Sequence, residues 1–260
     1  TIIVADSSFH GRTLATLTAT GNRKVQAGVE PLVKGFIRVP YNDIGSVNEI
    51  SEQKNSVVAI MVEPVQGEGG IQVPDNDYLQ KLRQLCDAND WLLIVDEIQC
   101  AIGRTGTFFC YEQSGILPDV VTIAKGLANG VPIGVCLASG EAAEVMQPGT
   151  HGSTFGGNPL SCATALTVLQ EVEVNHLVER AAELGNRMME QFRARLEGLN
   201  IVKEIRGKGL MIGIELDSPC GELVARAFDK GLLINVTAEK VVRLLPHLTT
   251  TDEEADQIVD

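Results

Sequence analysis

Val120-Val121-Thr122-Ile123-Ala124-Lys125-Gly126 is an apolar, β-branched run that stops at a lysine. Branched side chains fit a pleated, buried surface, so the run reads as a core strand. Trp91-Leu92-Leu93-Ile94-Val95-Asp96-Glu97 is a second such run, and it stops at carboxylates. Thr1–Ala5, Ser56–Val62 and Ile133–Ala138 complete the set. Between two of these runs, Asn76 to Asn89 carries Tyr78, Leu79, Leu82 and Leu85 at helical spacing. Strand–helix–strand alternation predicts an α/β fold on a mostly parallel sheet covered by helices. Such sheets bind ligands at the carboxyl ends of their strands, where Glu63, Asp96 and Lys125 fall.

From Pro159 the pattern changes. Leu160 to Val174 is apolar nearly all round, which predicts a helix buried between layers. Leu177, Ala181, Leu184, Met188, Phe192 and Leu196 then mark one face of an amphipathic helix, with Gly198 and Asn200 as stop signals. Leu210–Leu216, Leu232–Asn235 and Val241–Leu245 read as short strands, with a helix over Gly221–Lys230. Arg206-Gly207-Lys208-Gly209 reads as a turn into the first of these strands, not as a phosphate loop. The expected domains are residues 1–171, large, and residues 172–260, a smaller C-terminal α/β domain. The chain opens directly on a core strand and closes at the start of a helix. It is therefore expected to be cut from a longer protein at both ends.

Composition narrows the function class. Hydrophobic residues at 44% and charged residues at 21% suit an ordinary globular protein with a sizeable core. A net charge of −13 without a basic stripe argues against a nucleic-acid surface. Cys86, Cys100, Cys110, Cys136, Cys162 and Cys220 form no C-x-x-C pair, which predicts reduced thiols in a cytoplasmic protein. No apolar stretch reaches membrane-spanning length. His10, His151, His176 and His247 lack metal-ligand spacing, so no metal is expected.

An amine and a carboxylate ending two core strands suit pyridoxal 5'-phosphate chemistry. The lysine amine forms a Schiff base with the cofactor aldehyde, and the carboxylate keeps the pyridine nitrogen protonated. A carboxylate about 4 Å from a pyridinium gains ~4 kcal/mol at an effective dielectric of about 20, before desolvation. The competing structural readings are a solvated lysine and an aspartate capping a turn. The buried run before Lys125 and the sharp turn allowed by Gly126 favour the functional one. Gln99 could reach the phenolic oxygen beside the aldehyde. Phe9 could stack on a planar cofactor, and Arg12 could clamp a carboxylate or pair with a surface acid. Glu63-Pro64-Val65-Gln66-Gly67-Glu68-Gly69-Gly70 is a tight loop without a dinucleotide-binding fingerprint.

The chain resembles the class III, or ω-, aminotransferases of pyridoxal-phosphate fold type I. The matching stretches are SFHGRT (Ser8–Thr13), EPVQGEGG (Glu63–Gly70), IVDEIQ with GRTG (Ile94–Gly106), PDVVTIAKGLANGVPIG (Pro118–Gly134), HGSTFGGNPL (His151–Leu160) and RGKGLM (Arg206–Met211). SFHGRT and GSTFGGNP look most like those of acetylornithine and succinylornithine aminotransferases. The resemblance implies that Lys125 carries the link to the cofactor and shuttles the substrate proton. It implies that Asp96 binds the pyridine nitrogen, Gln99 the phenolic oxygen and Phe9 the ring face, with Glu97 in the same cofactor-binding set. Thr154 would bind the phosphate of a neighbouring subunit's cofactor, with Ser153 beside the substrate there, in a homodimer with shared active sites. Arg12 would hold the α-carboxylate of the ω-amino substrate, and Arg243 that of glutamate or 2-oxoglutarate. Glu68 would cover Arg243 when the other substrate is bound. The implied reaction moves an amino group from N-acetylornithine or N-succinylornithine to 2-oxoglutarate, in arginine metabolism. Ornithine, 4-aminobutyrate and diamino-acid transaminases, a glutamate-semialdehyde aminomutase, or an incomplete non-catalytic fragment are the alternatives. The chain departs from the family pattern in three places. The N-terminal phosphate-binding S-G-x-E-A-like region is absent, Cys100-Ala101-Ile102 stands where small residues and glycine are common, and Pro246-His247 replaces Pro-Pro.

Overall fold

The computed structural model describes residues 1–53 and 56–260. It divides into two compact units. The first holds residues 1–64, 74–99 and 111–169, and the second holds residues 65–73, 100–110 and 170–260.

The first unit is built on six strands: β1 (Ile2–Ala5), β2 (Phe36–Val39), β3 (Ala59–Val62), β4 (Leu92–Asp96), β5 (Val120–Ile123) and β6 (Val135–Ala138). Their order is β2-β1-β3-β4-β5-β6. All pairings are parallel except the last, where β6 runs antiparallel to β5. A parallel return needs a long crossover, and the β5–β6 connection holds only a 3-10 turn, Lys125–Ala128. One face of the inner strands is fully buried, with Ile3, Ile60, Leu93 and Val95 in the core, while Met61, Ile94, Val120 and Thr122 on the other face are half-buried. The helices are α1 (Leu14–Ala19), α2 (Arg23–Gln26), α3 (Ile44–Glu52), α4 (Tyr78–Asn89), α5 (Gly140–Val145) and α6 (Pro159–Val174). Tyr78, Leu79, Leu82 and Cys86 form the inner face of α4 and pack with Ile60, Leu93 and Val95. Each such burial contributes about 1.5–3 kcal/mol. α4 starts at Tyr78 rather than Asn76, because Tyr78 N–H first closes a turn on Asp75 O at 3.0 Å. It stops at Asp90, whose left-handed backbone (φ 53°) turns its N–H onto Cys86 O.

The second unit carries β7 (Val202–Lys208), β8 (Met211–Leu216), β9 (Asn235–Thr237) and β10 (Val241–Leu244) in the antiparallel order β7-β8-β10-β9. Its helices are α7 (Leu177–Leu196), α8 (Leu223–Phe228) and α9 (Asp252–Val259). Ala181, Leu184, Met188 and Phe192 of α7 cluster with Leu210, Ile212 and Ile214. The division between the units falls inside α6, after Leu169. No described helix is long and apolar enough to cross a membrane.

Three sequence expectations need correction. Arg206, Gly207 and Lys208 lie in β7, not in a turn; the turn is Gly209-Leu210. Gly207 is there because a Cβ would strike the Met211 backbone across the hairpin. The strand expected over Leu232–Asn235 begins only at Asn235. Helix α6 forms, but Leu160, Leu166 and Val174 are exposed, so no described residue covers its apolar outer face.

Gly185 of α7 lies against the β7–β8 turn, where a Cβ would overlap the Gly209 carbonyl. An alanine in a helix interior normally gains about 0.5–1 kcal/mol over glycine. Here overpacking reverses the sign, and Gly185→Ala is expected to lose about 1–3 kcal/mol in urea unfolding. An equal or higher unfolding midpoint would show that the turn yields without cost.

Candidate active site

The first unit gathers its chemistry at the carboxyl ends of β1, β3, β4 and β5. Asp96 closes β4 and is 2% exposed. A buried carboxylate needs donors, and Asp96 has three. His10 Nδ1 lies 2.7 Å from Oδ2, while Ile98 N–H and Thr122 Oγ1 each donate to Oδ1 at 3.1 Å. With the carboxylate ionised, Nδ1 carries the shared proton, since an ionised carboxylate only accepts. Thr122 reaches it because the parallel β4–β5 register sets Asp96 opposite Thr122. His10 Nε2 is buried without a hydrogen-bond partner among the described residues.

The segment after β1 is tied down to deliver His10. Ser8 Oγ donates to Ala5 O at 2.8 Å, and His10 N–H donates to Thr20 Oγ1 at 2.9 Å. Phe9 N–H donates to Glu63 Oε2 at 3.0 Å, and Glu63 is itself buried at the end of β3. The Arg12 guanidinium lies 5.7 Å from the Phe9 ring centroid, a cation–π distance. Arg12 and a planar ligand therefore need opposite faces of that ring.

Lys125 follows β5, three residues beyond Thr122. Its backbone is left-handed (φ 47°) and its side chain exposed. A bulky residue there is strained, a feature that concentrates at functional sites. Glu97 is fully buried, and its Oε1 accepts from Tyr111 N–H at 2.8 Å. Gln99 is half-buried. Ser153 and Thr154 stand in an exposed loop, where Ser153 Oγ accepts from Gly156 N–H at 3.1 Å.

The second unit holds the remaining two expected residues. Arg243 on β10 is paired across strands with Gly213 and Asn235. Its Nη1 lies 2.7 Å from Glu68 Oε1, and its Nη2 donates to Asn235 Oδ1 at 3.0 Å. The Arg243 side chain is 11% exposed and that of Glu68 40%. An ion pair so open on the acid side is screened by water and adds little stability.

The Asp96 cluster can hold a heteroaromatic cation. Three of the four lone-pair positions of the carboxylate are used, which leaves acceptor capacity for one ring N–H. No described group of three or more His, Cys, Asp or Glu side chains could hold a metal ion.

Residues 1–260 match the family Aminotransferase class-III. The chain belongs to that family. The acetylornithine aminotransferase of Nitrosomonas europaea is 56% identical over 259 residues, covering 100% of this chain and 66% of its own length. That of Methanothermobacter thermautotrophicus is 47% identical with the same two coverages. The crystal structure of ornithine aminotransferase from Toxoplasma gondii matches with a TM-score of 0.95 at 36% identity, over 99% of this chain and 62% of that one. An (S)-enantioselective ω-transaminase from Thermomicrobium roseum matches with a TM-score of 0.93 at 30% identity. The chain thus spans about two thirds of the length of these curated relatives, 66% in both cases.

For this class-III aminotransferase chain, sequence reasoning missed three residues that hold the site. His10 was legible only as a packing or hydrogen-bonding residue. Thr122 carried a signal, a hydroxyl inside an otherwise apolar strand. Glu63 was legible as a strand-end acid but not as the acceptor for Phe9 N–H.

His10→Ala removes one of the three donors to a buried charge. Hydrogen bonds to charged groups contribute about 1.5–3 kcal/mol, so urea unfolding should show a loss in that range. A change below about 0.5 kcal/mol would mean that the His10–Asp96 pair does not hold this site together.

Proposed function

We propose that the protein carrying this chain is a pyridoxal-phosphate-dependent aminotransferase. It moves the ω-amino group of N-acetylornithine, or N-succinylornithine, to 2-oxoglutarate, yielding the semialdehyde and glutamate. We further propose that it works as a cytoplasmic homodimer with shared active sites in arginine metabolism. The observation that carries the reading is Asp96, buried and held by three donors beside the strand that runs out at Lys125. The names of the relatives, acetylornithine aminotransferases at 47% and 56% identity, support the donor. The likeness to ornithine aminotransferase keeps unacylated ornithine as a second reading, and the amino-donor profile separates the two.

When bound, the cofactor supplies an aldehyde that receives the amino group and a ring that withdraws electrons from the reacting carbon. Asp96 would hold the ring nitrogen protonated, and His10 and Thr122 keep Asp96 fixed in place. Gln99 binds the phenolic oxygen, Phe9 covers the ring, and Glu97 holds the backbone around the site. Lys125 Nζ binds the cofactor, then takes the proton from the donor carbon and returns it. Thr154 and Ser153 serve the neighbouring subunit, Thr154 on the phosphate. The exposed face of α6 fits such a partner. Arg12 holds the single α-carboxylate of the acylated donor while Glu68 neutralises Arg243. Glutamate brings a second carboxylate, which displaces Glu68 from Arg243.

The covalent assignment is tested by adding cofactor to the full-length protein, reducing with borohydride and mapping the adduct by mass spectrometry. The adduct is expected on Lys125. Mapping to Lys208 or Lys230 would sink the reading.

Removing the covering acid tests the substrate exchange. In single turnover, Glu68→Ala should leave the glutamate half-reaction nearly unchanged and slow that of the acylated amine about tenfold, ~1.4 kcal/mol. Equal slowing of both, or of neither, would make Glu68 an ordinary loop acid.

A further inference from the structure

The loop that carries Glu68 is fixed far more firmly than its exposed side chain requires. Gln66 and Gln72 exchange backbone hydrogen bonds of 3.0 and 3.1 Å, which closes residues 66–72 into a narrow loop. Ile71 is fully buried in a left-handed backbone (φ 50°), an unfavourable state for a β-branched residue. Such a state persists where its surroundings over-determine it. Those surroundings include Gly213 of β8, where a Cβ would stand 2.8 Å from Ile71 Cβ. On the other side, a Cβ on Gly70 would meet Ala238 and Val241 at 3.3 and 3.2 Å.

Arg206 closes the arrangement. It is 7% exposed, and one edge of its guanidinium serves two successive carbonyls of the loop. Nε donates to Ile71 O at 2.9 Å and Nη2 to Gly70 O at 2.7 Å. The outer nitrogen, Nη1, meets Glu204 and Glu215 at 2.6 and 2.7 Å. The Arg206 guanidinium holds the Glu215 carboxyl below the usual carboxylate range. Thr237 Oγ1 donates to the carbonyl of Glu68 itself. The backbone of Glu68 is thus pinned on both sides, while its side chain is 40% exposed and touches Arg243.

We propose that Arg206 is a positioning residue for substrate choice. It locks the backbone of residues 66–72, so that exchange between a monoanionic amine and a dicarboxylate is made by rotation of the Glu68 side chain alone. This rests on the reading of Glu68 and Arg243 given above. A planar fork is needed because two adjacent carbonyls are held at once; an ammonium group is a point charge. If Arg206 only neutralised Glu204 and Glu215, a lysine would do the same work.

The test uses the full-length holoenzyme with Arg206→Lys and Arg206→Gln, each alone and combined with Glu68→Ala. Hydrogen exchange is followed across residues 66–72, and both half-reactions are measured in single turnover. Exchange in that loop should accelerate tenfold or more in both variants, with the other segments unchanged. Preference for the acylated amine over glutamate should fall about tenfold when Glu68 is present and stay unchanged when it is absent. Unchanged loop exchange overturns the clamp. Full restoration by Arg206→Lys overturns the fork and leaves only charge neutralisation. An equal fall in both backgrounds means that Arg206 does not act through Glu68. A Glu68→Ala variant that by itself keeps normal preference sinks the underlying Glu68 reading and the role in substrate choice with it. If Arg206→Gln does not fold, Arg206→Lys carries the test alone.

Discussion

A buried carboxylate has to be satisfied, and in this chain that demand makes three segments meet at Asp96. Desolvating an ionised carboxylate costs several kcal/mol even after relaxation, so its donors have to be in place in the folded state. One is its own chain, through Ile98 N–H; one is β5, through Thr122; one is the segment after β1, through His10. Each contact imposes a further constraint. The register of β5 on β4 is set with Thr122 opposite Asp96, and this fixes where Lys125 emerges. The segment after β1 has to fold back tightly, which Ser8, Thr20 and the close approach of Gly21 to Ser7 accomplish.

The second unit solves the opposite problem with the same means. There the well-buried charge is a cation, Arg206, and its partners are two backbone carbonyls and two acids. Four acceptors from three segments fix a loop that strand pairing alone would leave loose. Glycine makes this possible where backbone and side chain crowd together. Gly213 leaves room for Ile71, and Gly185 admits the Gly209 turn. The acid carried by the loop is left half-exposed, so one short segment combines a fixed backbone with an end group that reaches solvent.

Much of the first unit was legible because its inner strands are apolar on both faces. Four continuous apolar runs gave β1, β3, β4 and β5, and their ends located Glu63, Asp96 and Lys125. The edge strands β2 and β7 carry no such signal. Phe36–Val39 has an exposed Arg38 and lies between Gly35 and Pro40. Val202–Lys208 is rich in charge and contains a glycine, so it looked like a loop and a turn. Arg206 was misread for the same reason: the two glycines after it suggest a turn there, whereas Gly207 permits close packing across the hairpin and the turn begins only at Gly209. The apolar character of α6 was read correctly, but burial was inferred from it. Composition says that a face wants cover, not which chain supplies it. His10 was hidden because its partner stands far away in sequence and only the sheet brings them together.

In the proposed reaction, the contrast between Asp96 and Lys125 follows from what each would have to do. Holding one geometry through a reaction cycle calls for a group with fixed donors, and Asp96 is 2% exposed with three of them. A group that exchanges partners and protons at every turnover cannot be committed to permanent bonds of that kind. Lys125 is exposed, and its backbone contributes a precision of its own. The left-handed turn at Lys125 supplies it, since φ 47° is tolerated only where the strand before and the 3-10 turn after hold the residue in place. The Glu68 loop likewise fixes its main chain beneath a side chain that reaches solvent. Both units therefore place their rigidity in the backbone, one covalent step away from a side chain open to water.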